Sequence, residues 1–374
     1  MKIVSVMTTD ARGGAEFAAV ELLDALRSRG HETVMLSDQP DIGRDTGVDV
    51  RLIDIGPKLS QRSWRALTVR WPQLVMRLRS ALTHELPYDV LLLHYKKEQI
   101  IAPVLPPRLR RTVVWAEWGP VPFPLRRGLP NAVYRTAARR AALVMAVSAG
   151  TRESVAAVGV PRGKIQVVPN AMRTDSIRFT EEGRGRVRDT LGIPTDAFVV
   201  GCISRFHPKK RNDVVVDAVS RLPEGHLILA GEGETEASLR AQAKDLGQRV
   251  HFIPTPGAEV GDVLSAFDVL VFCPSPTEGA PRAVILGMLA ERPCLATGAE
   301  GVADMITREV GAICSPENDP RVLVALLQRY LDDPALRSRH GAAARLVAER
   351  AYAAPVVAEH VEQLLQAAMA SNGR

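Results

Sequence analysis

The sequence contains no uninterrupted apolar run of the roughly eighteen residues that a membrane-spanning helix needs. Cysteine is also scarce: four residues lie scattered without the short paired spacings of a zinc knuckle or a disulfide framework, namely Cys202, Cys273, Cys294 and Cys314. The first residues run directly into a strand-like apolar pattern, so we expect no secretory signal. These absences together predict a reduced, cytoplasmic protein.

Other absences concern ligands. No Asp-x-Asp string occurs, and Gly231-Glu232-Gly233 lacks the third glycine of a dinucleotide-binding fingerprint, so we predict no NAD site. Basic residues are not interleaved with aromatic ones as in the known nucleic-acid modules, so we predict no nucleic-acid partner.

The charge is distributed unevenly along the chain. Residues 1–180 contain 27 Lys and Arg against 16 Asp and Glu, whereas the remainder contains 21 against 26. A basic first half suits an anionic acceptor or a membrane surface, and scattered solvated arginines are the alternative.

Short apolar runs alternate with helical patterns over most of the 374 residues, which predicts parallel sheets with crossover helices, in two α/β domains. The predicted strands are 3–7, 33–36, 50–55, 90–93, 112–115, 143–147, 165–168, 198–204, 226–230, 250–253, 269–273, 294–297 and 312–314. Residues 161–195 break the alternation and are interpreted as the interdomain connection. We therefore predict an N-terminal Rossmann-like domain over 1–185, a C-terminal one over 186–355, and a final helix over 356–374 that packs back on the first domain.

Polar motifs follow several strands of the second half, at the sheet edge where ligands are expected. They are Ser204-Arg205-Phe206-His207-Pro208-Lys209-Lys210-Arg211, Gly231-Glu232-Gly233-Glu234, and Pro274-Ser275-Pro276-Thr277-Glu278-Gly279-Ala280-Pro281. With Val167-Val168-Pro169-Asn170 and the early Gly13-Gly14-Ala15-Glu16, their order and spacing resemble the retaining glycosyltransferases of family 4. The resemblance extends over nearly the whole chain and implies the GT-B fold, in which two doubly wound Rossmann-like domains face each other across a cleft.

The resemblance assigns roles to individual residues. Arg205 and Lys210 match the two cations that stabilise the nucleotide diphosphate leaving group, and such cations can do so without a metal ion. Glu278 matches the first glutamate of the family's paired-glutamate motif, placed near the anomeric centre of the donor sugar. We accordingly take Glu278, Arg205 and Lys210 as catalytic and predict no metal and no cofactor.

Further donor contacts are expected from Gly279, Ala280 and Pro281, which open a helix, and from Gly13 and Gly14 in the first strand–helix turn. The alternatives are a helix-start glutamate that only interacts with the helix dipole and a glycine turn that is only structural.

Two positions depart from the family pattern. Leu286 stands eight residues after Glu278, where the family has a glutamate that holds the ribose, so a contact worth about 1.5–3 kcal/mol is missing. The family's histidine after the strand 112–115 is replaced by Glu117 or Trp118, which are candidates for the acceptor side along with His94. A Trp packed under the loop, an exposed Glu and a structural His are the alternatives, and Lys96 and Lys97 either bind an anionic acceptor or are solvated.

The function predicted is a metal-independent, retaining glycosyltransferase that moves a sugar from a nucleotide donor, UDP- or GDP-linked, to a small metabolite, a lipid-linked sugar or a glycan. The alternatives are a degenerate sugar-nucleotide-binding protein without turnover and a sugar-nucleotide epimerase on the same fold. The stretch from Trp64 to Arg79 mixes aromatic, aliphatic and basic residues, so peripheral contact with the inner face of the membrane is a further expectation.

Overall fold

The structure is a computed structural model that describes residues 1–9, 13–56, 69–276, 278–299, 301–315 and 319–372. It divides the chain into two compact units, one formed by residues 1–172 and 353–374 and the other by residues 173–352. No helix among the described residues is both long and apolar enough to cross a membrane.

The first unit alternates strands with helices. Its elements up to residue 167 are β1 (Lys2–Met7), α1 (Gly14–Ser28), β2 (Glu32–Ser37), β3 (Asp49–Leu52), α2 (Trp71–His84), β4 (Val90–Leu93), α3 (Lys96–Ile101), β5 (Val113–Glu117), α4 (Gly128–Arg140), β6 (Leu143–Ala146), α5 (Ala149–Ala157) and β7 (Ile165–Val167). The strands form one parallel sheet in the order β3-β2-β1-β4-β5-β6-β7. The inner strands β4 and β6 are buried throughout, as apolar runs between two helical layers must be.

The second unit repeats this architecture. Its elements are α6 (Glu181–Leu191), β8 (Val199–Ile203), α7 (Asn212–Ser220), β9 (His226–Ala230), α8 (Glu236–Gln242), β10 (Val250–Ile253), α9 (Val260–Ser265), β11 (Val269–Phe272), α10 (Arg282–Leu289), β12 (Cys294–Thr297), β13 (Gly311–Cys314), α11 (Pro320–Asp332) and α12 (Pro334–Tyr352). The parallel sheet has the order β10-β9-β8-β11-β12-β13. The prediction of two doubly wound parallel-sheet units is confirmed.

The last helix, α13 (Ala354–Asn372), belongs to the first unit. Its apolar face, which includes Val361 and Leu365, joins the cluster that α1 forms on the sheet. An ion pair between Arg29 Nε and Glu362 Oε2, 2.6 Å apart, fixes the outer edge of this contact. The last helix thus begins at Ala354, two residues before the predicted start at residue 356.

The boundary between the units also differs from the prediction. The structure divides the chain after Met172 and not after residue 185, and the supposed connection contains α6. This helix contains few apolar residues. It is attached to the second unit mainly by hydrogen bonds of one buried arginine. Arg188, 1% exposed, donates to Asp268 Oδ2 (2.9 Å) and to backbone carbonyls beside β8 and β11, including Ala197 O (2.8 Å). Its polar sequence therefore resembles a linker although it is part of the second unit.

Asp268 is the centre of this anchor. Its carboxylate also accepts from Arg184 Nη2 at 2.9 Å and from the backbone N–H of Val199 at 2.7 Å, so α6 is tied to the first residues of β8 and to the turn before β11. A buried carboxylate with this many donors is fully satisfied, and removing one cation leaves it undercompensated.

The stretch expected to contact a membrane lies partly outside the described residues, which omit 57–68. The remainder forms α2, with Leu74, Leu78 and Leu82 buried on one face. Pro72 does not interrupt this helix: it lies in the first turn, where a missing backbone N–H costs nothing.

Replacing Arg188 with Met is expected to lower the free energy of unfolding by about 3 kcal/mol, because Asp268 loses its most buried partner. Urea unfolding followed by circular dichroism measures this. Arg186→Met is the matched control, since Arg186 lies on the same helix and pairs with Asp262 and Glu182 at the surface, where a loss below about 1 kcal/mol is expected. Equal losses in the two variants would contradict the role given to Arg188.

Candidate active site

The second sheet reverses its winding direction between β8 and β11. The chain proceeds from β8 outward through β9 to β10, then returns to the other side of β8 and continues through β11 to β13. β8 and β11 are neighbours, and the loops after them therefore lead away from each other, to opposite sides of the sheet's centre. In open α/β sheets this is the position where ligands bind.

The loop after β8 is closed by its own ends. Ser204 Oγ donates to Asn212 Oδ1 at 2.9 Å, and Cys202 Sγ donates to the same oxygen at 3.4 Å. Asn212 is buried at the first turn of α7. The loop between these residues holds both predicted cations, Arg205 with an exposed side chain and Lys210 with a partly buried one.

The glycine motif after β9 supports this loop. A Cβ on Gly231 would lie 2.0 Å from the carbonyl oxygen of Ser204, and one on Gly233 would lie 2.3 Å from that of Phe206. Both glycines also have positive φ angles, 154° and 151°. Backbone hydrogen bonds join the two segments, from Phe206 N to Glu232 O at 2.8 Å. Gly231 and Gly233 therefore have a structural reason to be glycine, which is to let the Arg205 loop pack closely.

Lys210 and Glu278 meet across the reversal point. Lys210 Nζ lies 2.7 Å from Glu278 Oε2, and the two side chains are 21% and 23% exposed. The ammonium group also lies 5.1 Å from the centroid of the Phe272 ring, a cation–π contact that holds it against the end of β11. A backbone hydrogen bond from Ser275 N to Lys209 O, 2.8 Å long, ties the two loops together.

The residues after Glu278 lead into a helix. Gly279, Ala280 and Pro281 precede α10, with Pro281 at its N-cap and no side chain capping the first turn. Leu286 is half-buried in the middle of α10. The structure thus brings Lys210 and Glu278 into direct contact and puts Arg205 in the loop that holds Lys210, while the ribose position predicted at Leu286 has no polar side-chain atom.

The first sheet has an equivalent reversal between β1 and β4. Gly13 is the N-cap of α1 and Gly14 its first residue, so both lie beside the first turn of a 15-residue helix. A Cβ on Gly13 would lie 3.2 Å from Glu16 Oε2, a tight contact that a small shift relieves. Glu16 is buried and accepts a hydrogen bond from Tyr95 Oη.

His94, at the end of β4, has both ring nitrogens engaged. Its Nδ1 accepts from Trp118 Nε1 at 3.2 Å, and its Nε2 lies 2.7 Å from Ser5 Oγ. Because Nδ1 accepts, the ring proton resides on Nε2 and is donated to Ser5. Burial lowers the pKa of His94 to about 3, so the ring is neutral. These contacts favour the structural alternative for His94.

Glu117 is likewise engaged within the unit. The carboxylate is buried, accepts from Tyr134 Oη at 3.1 Å and forms an ion pair with Lys96. Burial lowers the pKa of Lys96, against the opposite influence of Glu117. Lys97 is buried too and donates to the carbonyl of Gly56, so neither lysine is a solvated surface cation.

Trp118 differs from these two candidates because it is only partly buried. Its indole stacks on His94 with the ring centroids 5.6 Å apart and the planes inclined by 11°. Another side of the indole lines a small pocket with Ala18 and Leu22 of α1 and with Pro169. Glu117 lines the same pocket, but of the three acceptor-side candidates Trp118 is the least buried.

Three participants were not predicted from the sequence: Ser204, Asn212 and Tyr134. A polar residue at each end of the cation loop was a usable signal for the first two, whereas the Tyr134–Glu117 contact joins residues whose sequence context shows nothing unusual. Within the described part of the chain, no group of three or more His, Cys, Asp or Glu side chains is arranged to hold a metal ion.

Two family models match the chain, one in each unit. The model described as glycosyl transferases group 1 matches residues 184–347, and the glycosyl transferase 4-like domain matches residues 13–171. Each unit thus matches a glycosyltransferase family model, and the resemblance identified from the motifs is confirmed.

Individual relatives agree with this assignment. A GDP-mannose-dependent monoacylated alpha-(1-6)-phosphatidylinositol monomannoside mannosyltransferase of Corynebacterium glutamicum is 28% identical over 199 residues, 50% of this chain and 52% of that protein. Lipopolysaccharide core biosynthesis glycosyltransferase LpsE of Rhizobium meliloti is 27% identical over 333 residues, 87% of this chain and 88% of that one. The chain spans about half the length of the first of these relatives.

Among solved structures, Anabaena HepE in complex with UDP-glucose has a TM-score of 0.84 and 20% identity, covering 98% of this chain and 100% of that one. The likeness establishes the GT-B fold class predicted from the motifs.

A double-mutant cycle tests the closure of the cation loop. Asn212→Ala is expected to cost about 1–3 kcal/mol of unfolding free energy, because it removes a buried side chain and leaves the partly buried hydroxyl of Ser204 without its acceptor. Ser204→Ala is expected to lower the unfolding free energy by less, because Asn212 Oδ1 still accepts the hydrogen bond from Cys202 Sγ. The double variant should be less destabilised than the sum of the two single variants, with a coupling of at least about 0.5 kcal/mol. Additive losses in urea unfolding would show that the two side chains do not interact.

Proposed function

We propose that this protein is a glycosyltransferase that transfers a sugar from a nucleotide-activated donor to an acceptor. The observation that carries the proposal is the contact of Lys210 with Glu278 at the reversal point of the second sheet, with Arg205 in the same loop as Lys210. A cation and a carboxylate held together there suit the two ends of a sugar diphosphate: phosphate oxygens for the cation and sugar hydroxyls for the carboxylate.

The chemistry follows from charge. As the bond between the anomeric carbon and the diphosphate oxygen breaks, negative charge accumulates on the leaving group. Arg205 and Lys210 are proposed to stabilise that charge, so that no metal ion is required. Before the donor binds, Glu278 holds the ammonium group in position, and on binding the ammonium turns to the phosphate while Glu278 accepts hydrogen bonds from the sugar. Gly279, Ala280 and Pro281 support the same end of the donor through the start of α10.

We assign Gly13 and Gly14 to the donor phosphates as well. They begin α1, whose first-turn N–H groups have no side-chain cap from Gly13. The N-terminal end of a helix favours an anion, and the absence of a side chain permits close approach.

For the acceptor we propose Trp118 as the contact residue, with His94 fixing its indole and the adjacent Glu117 engaged with Tyr134 and Lys96. The indole is fixed by its stacking on His94 and by its N–H hydrogen bond, so its remaining surface is a rigid apolar platform. Such a surface suits a sugar ring or another flat or apolar acceptor group. The named relatives act on a phosphatidylinositol monomannoside or in lipopolysaccharide core biosynthesis, which supports a lipid-linked sugar or a glycan over a free metabolite.

A second candidate function is nucleotide-sugar binding without turnover. The observation that favours it is Leu286, a side chain without polar atoms where the family resemblance implies a ribose-binding glutamate. A weakened ribose contact lowers donor affinity but leaves the cations and Glu278 in place, so the active transferase is the better supported of the two. An epimerase on the same fold has no observation in its favour.

Turnover of a nucleotide sugar is the direct test. The wild-type protein is expected to hydrolyse or transfer at least one UDP- or GDP-sugar, and Lys210→Met is expected to lower kcat about 10²–10³-fold, as losing one group that stabilises transition-state charge typically does. Lys209→Met is the matched control, because Lys209 is an exposed cation in the same turn and its rate should stay within about twofold of wild type. Binding without turnover in the wild type would establish the second candidate, and equal rates in both variants would exclude the role given to Lys210.

Retention and metal independence have their own test. With an α-linked donor sugar, the product is expected to keep the α configuration, seen as the anomeric proton coupling in the NMR spectrum of the product. The rate is expected to be unchanged by excess EDTA, because Arg205 and Lys210 supply the positive charge. A β-linked product would contradict retention, and a rate restored only by Mg²⁺ or Mn²⁺ would contradict the metal-free mechanism.

A further inference from the structure

One surface of the first unit combines exposed apolar side chains with arginines. Phe123, Leu129 and Val133 are 76%, 78% and 42% exposed, although residues of this type are normally covered. They lie in the segment from Phe123 to Arg140, which comprises a 3₁₀ turn over Phe123–Leu125 and then α4. We call this the Phe123–Arg140 surface.

The exposure follows from the orientation of α4. Its inner face is formed by Tyr134, Ala137 and Ala138, which are buried against the sheet. Leu129 and Val133 are one turn apart at the margin of this face, in the row that leads to Ala137, and both are exposed. Arg140 lies two turns beyond Val133 on the same margin and is exposed too. The helix therefore packs on the sheet without covering its outer apolar residues, and these are not part of the core.

A neighbouring turn extends the apolar area. Residues Ala102–Val104 pack against α4, and Val104 is itself exposed. Together with the Phe123–Arg140 surface this places four large apolar side chains on one side of the first unit, the side covered by α2, α3, α4 and α5. A cluster of exposed apolar side chains on a protein surface is typical of an interaction site.

The charge of the segment is of one sign. From Trp118 to Arg152 the sequence contains no Asp or Glu, whereas the segment carries Arg126, Arg127, Arg135, Arg139 and Arg140. Arg127 immediately precedes α4 and Arg140 is its last residue, and both are exposed. No carboxylate of the segment neutralises these guanidinium groups, so the surface is complementary to an anionic partner.

We infer that the Phe123–Arg140 surface docks on an anionic lipid bilayer. Phe123, Leu129 and Val133 enter the boundary between headgroups and acyl chains, and the arginines bind the lipid phosphates. A nucleic acid satisfies the arginines but leaves the apolar side chains against phosphate or water, and the segment offers a single aromatic ring for stacking. A bilayer satisfies both features. Arg205, Lys210 and Glu278 belong to the second unit, and none of them is used in this argument.

Vesicle co-sedimentation tests the inference with the full chain. The wild type is expected to bind vesicles of phosphatidylcholine containing phosphatidylglycerol and to remain in solution with phosphatidylcholine alone. The double variant Arg127→Gln/Arg140→Gln is expected to bind the anionic vesicles about tenfold or more weakly, because each cation near the surface contributes to attraction. The double variant Phe123→Ser/Leu129→Ser is expected to lose binding to a similar extent while the cations remain.

Matched controls lie on other parts of the chain. Leu52→Ser removes an exposed apolar side chain, 68% exposed, from β3, and Arg350→Gln removes an exposed arginine from α12; both should bind as the wild type does. Unfolding temperature and circular dichroism show whether each variant is folded. Wild-type binding equal on neutral and anionic vesicles, or undiminished binding by both double variants, would overturn the inference. Binding to duplex or single-stranded oligonucleotides that displaces the vesicles would overturn it in favour of a nucleic-acid surface.

Discussion

The ion pair between Lys210 and Glu278 is the contact around which the candidate active site is organised. It joins two loops that are 68 residues apart in sequence and that leave neighbouring strands at the point where the winding of the second sheet reverses. Everything else in this region fixes its position. The Ser204–Asn212 hydrogen bond closes the loop that contains Lys210, Gly231 and Gly233 permit that loop to pack closely, and Phe272 holds the ammonium group from below. The cation is thus held before a substrate arrives, which is the condition for electrostatic stabilisation of a leaving group without reorganisation.

The first sheet has its own reversal point, between β1 and β4, and the side chains beside it are arranged differently. There the polar side chains are directed inward and satisfy each other: His94 lies between Ser5 and Trp118, and Glu117 between Lys96 and Tyr134. Burial also raises the pKa of Glu98 to about 7, where its carboxyl accepts from the backbone and hydroxyl of Thr8. A network of this kind fixes a surface more than it supplies a reactive group. Within this network His94 fixes the indole of Trp118, the residue proposed to contact the acceptor.

Much of the fold could be predicted because its strands are unusually explicit in the sequence. Central parallel strands are covered on both faces, so their sequences are short continuous apolar runs between polar turns. The predicted runs correspond to the strands of both sheets. The helix α6 could not be predicted in this way. Its anchor is the guanidinium of Arg188, and nothing in a polar stretch shows that one of its arginines meets a buried carboxylate 80 residues later. The domain boundary was wrong for the same reason.

The candidate site was predictable as a set of residue types and not as a set of contacts. The motif order places Arg205, Lys210 and Glu278 after particular strands, and parallel topology brings those strand ends together. By contrast, the burial of His94 and Glu117 depends on which side chains lie behind them, and those come from β1, α3 and α4. Contacts between residues far apart in the sequence leave no trace in the local pattern of apolar and polar residues, so they could not be predicted from it. The outer residues of α4 show the converse: Leu129 and Val133 look like core residues in the sequence, and only the structure shows them exposed.

The loops after β8 and β11 are proposed to bind the nucleotide diphosphate of the donor. Hydrogen exchange of the whole chain, measured by mass spectrometry with and without saturating UDP or GDP, tests this proposal most directly because it requires neither an acceptor nor turnover. We expect slower exchange in peptides covering residues 204–212 and 278–289 when the preferred nucleotide is bound. Binding of either nucleotide with protection confined to other segments, and none in these two, would contradict it.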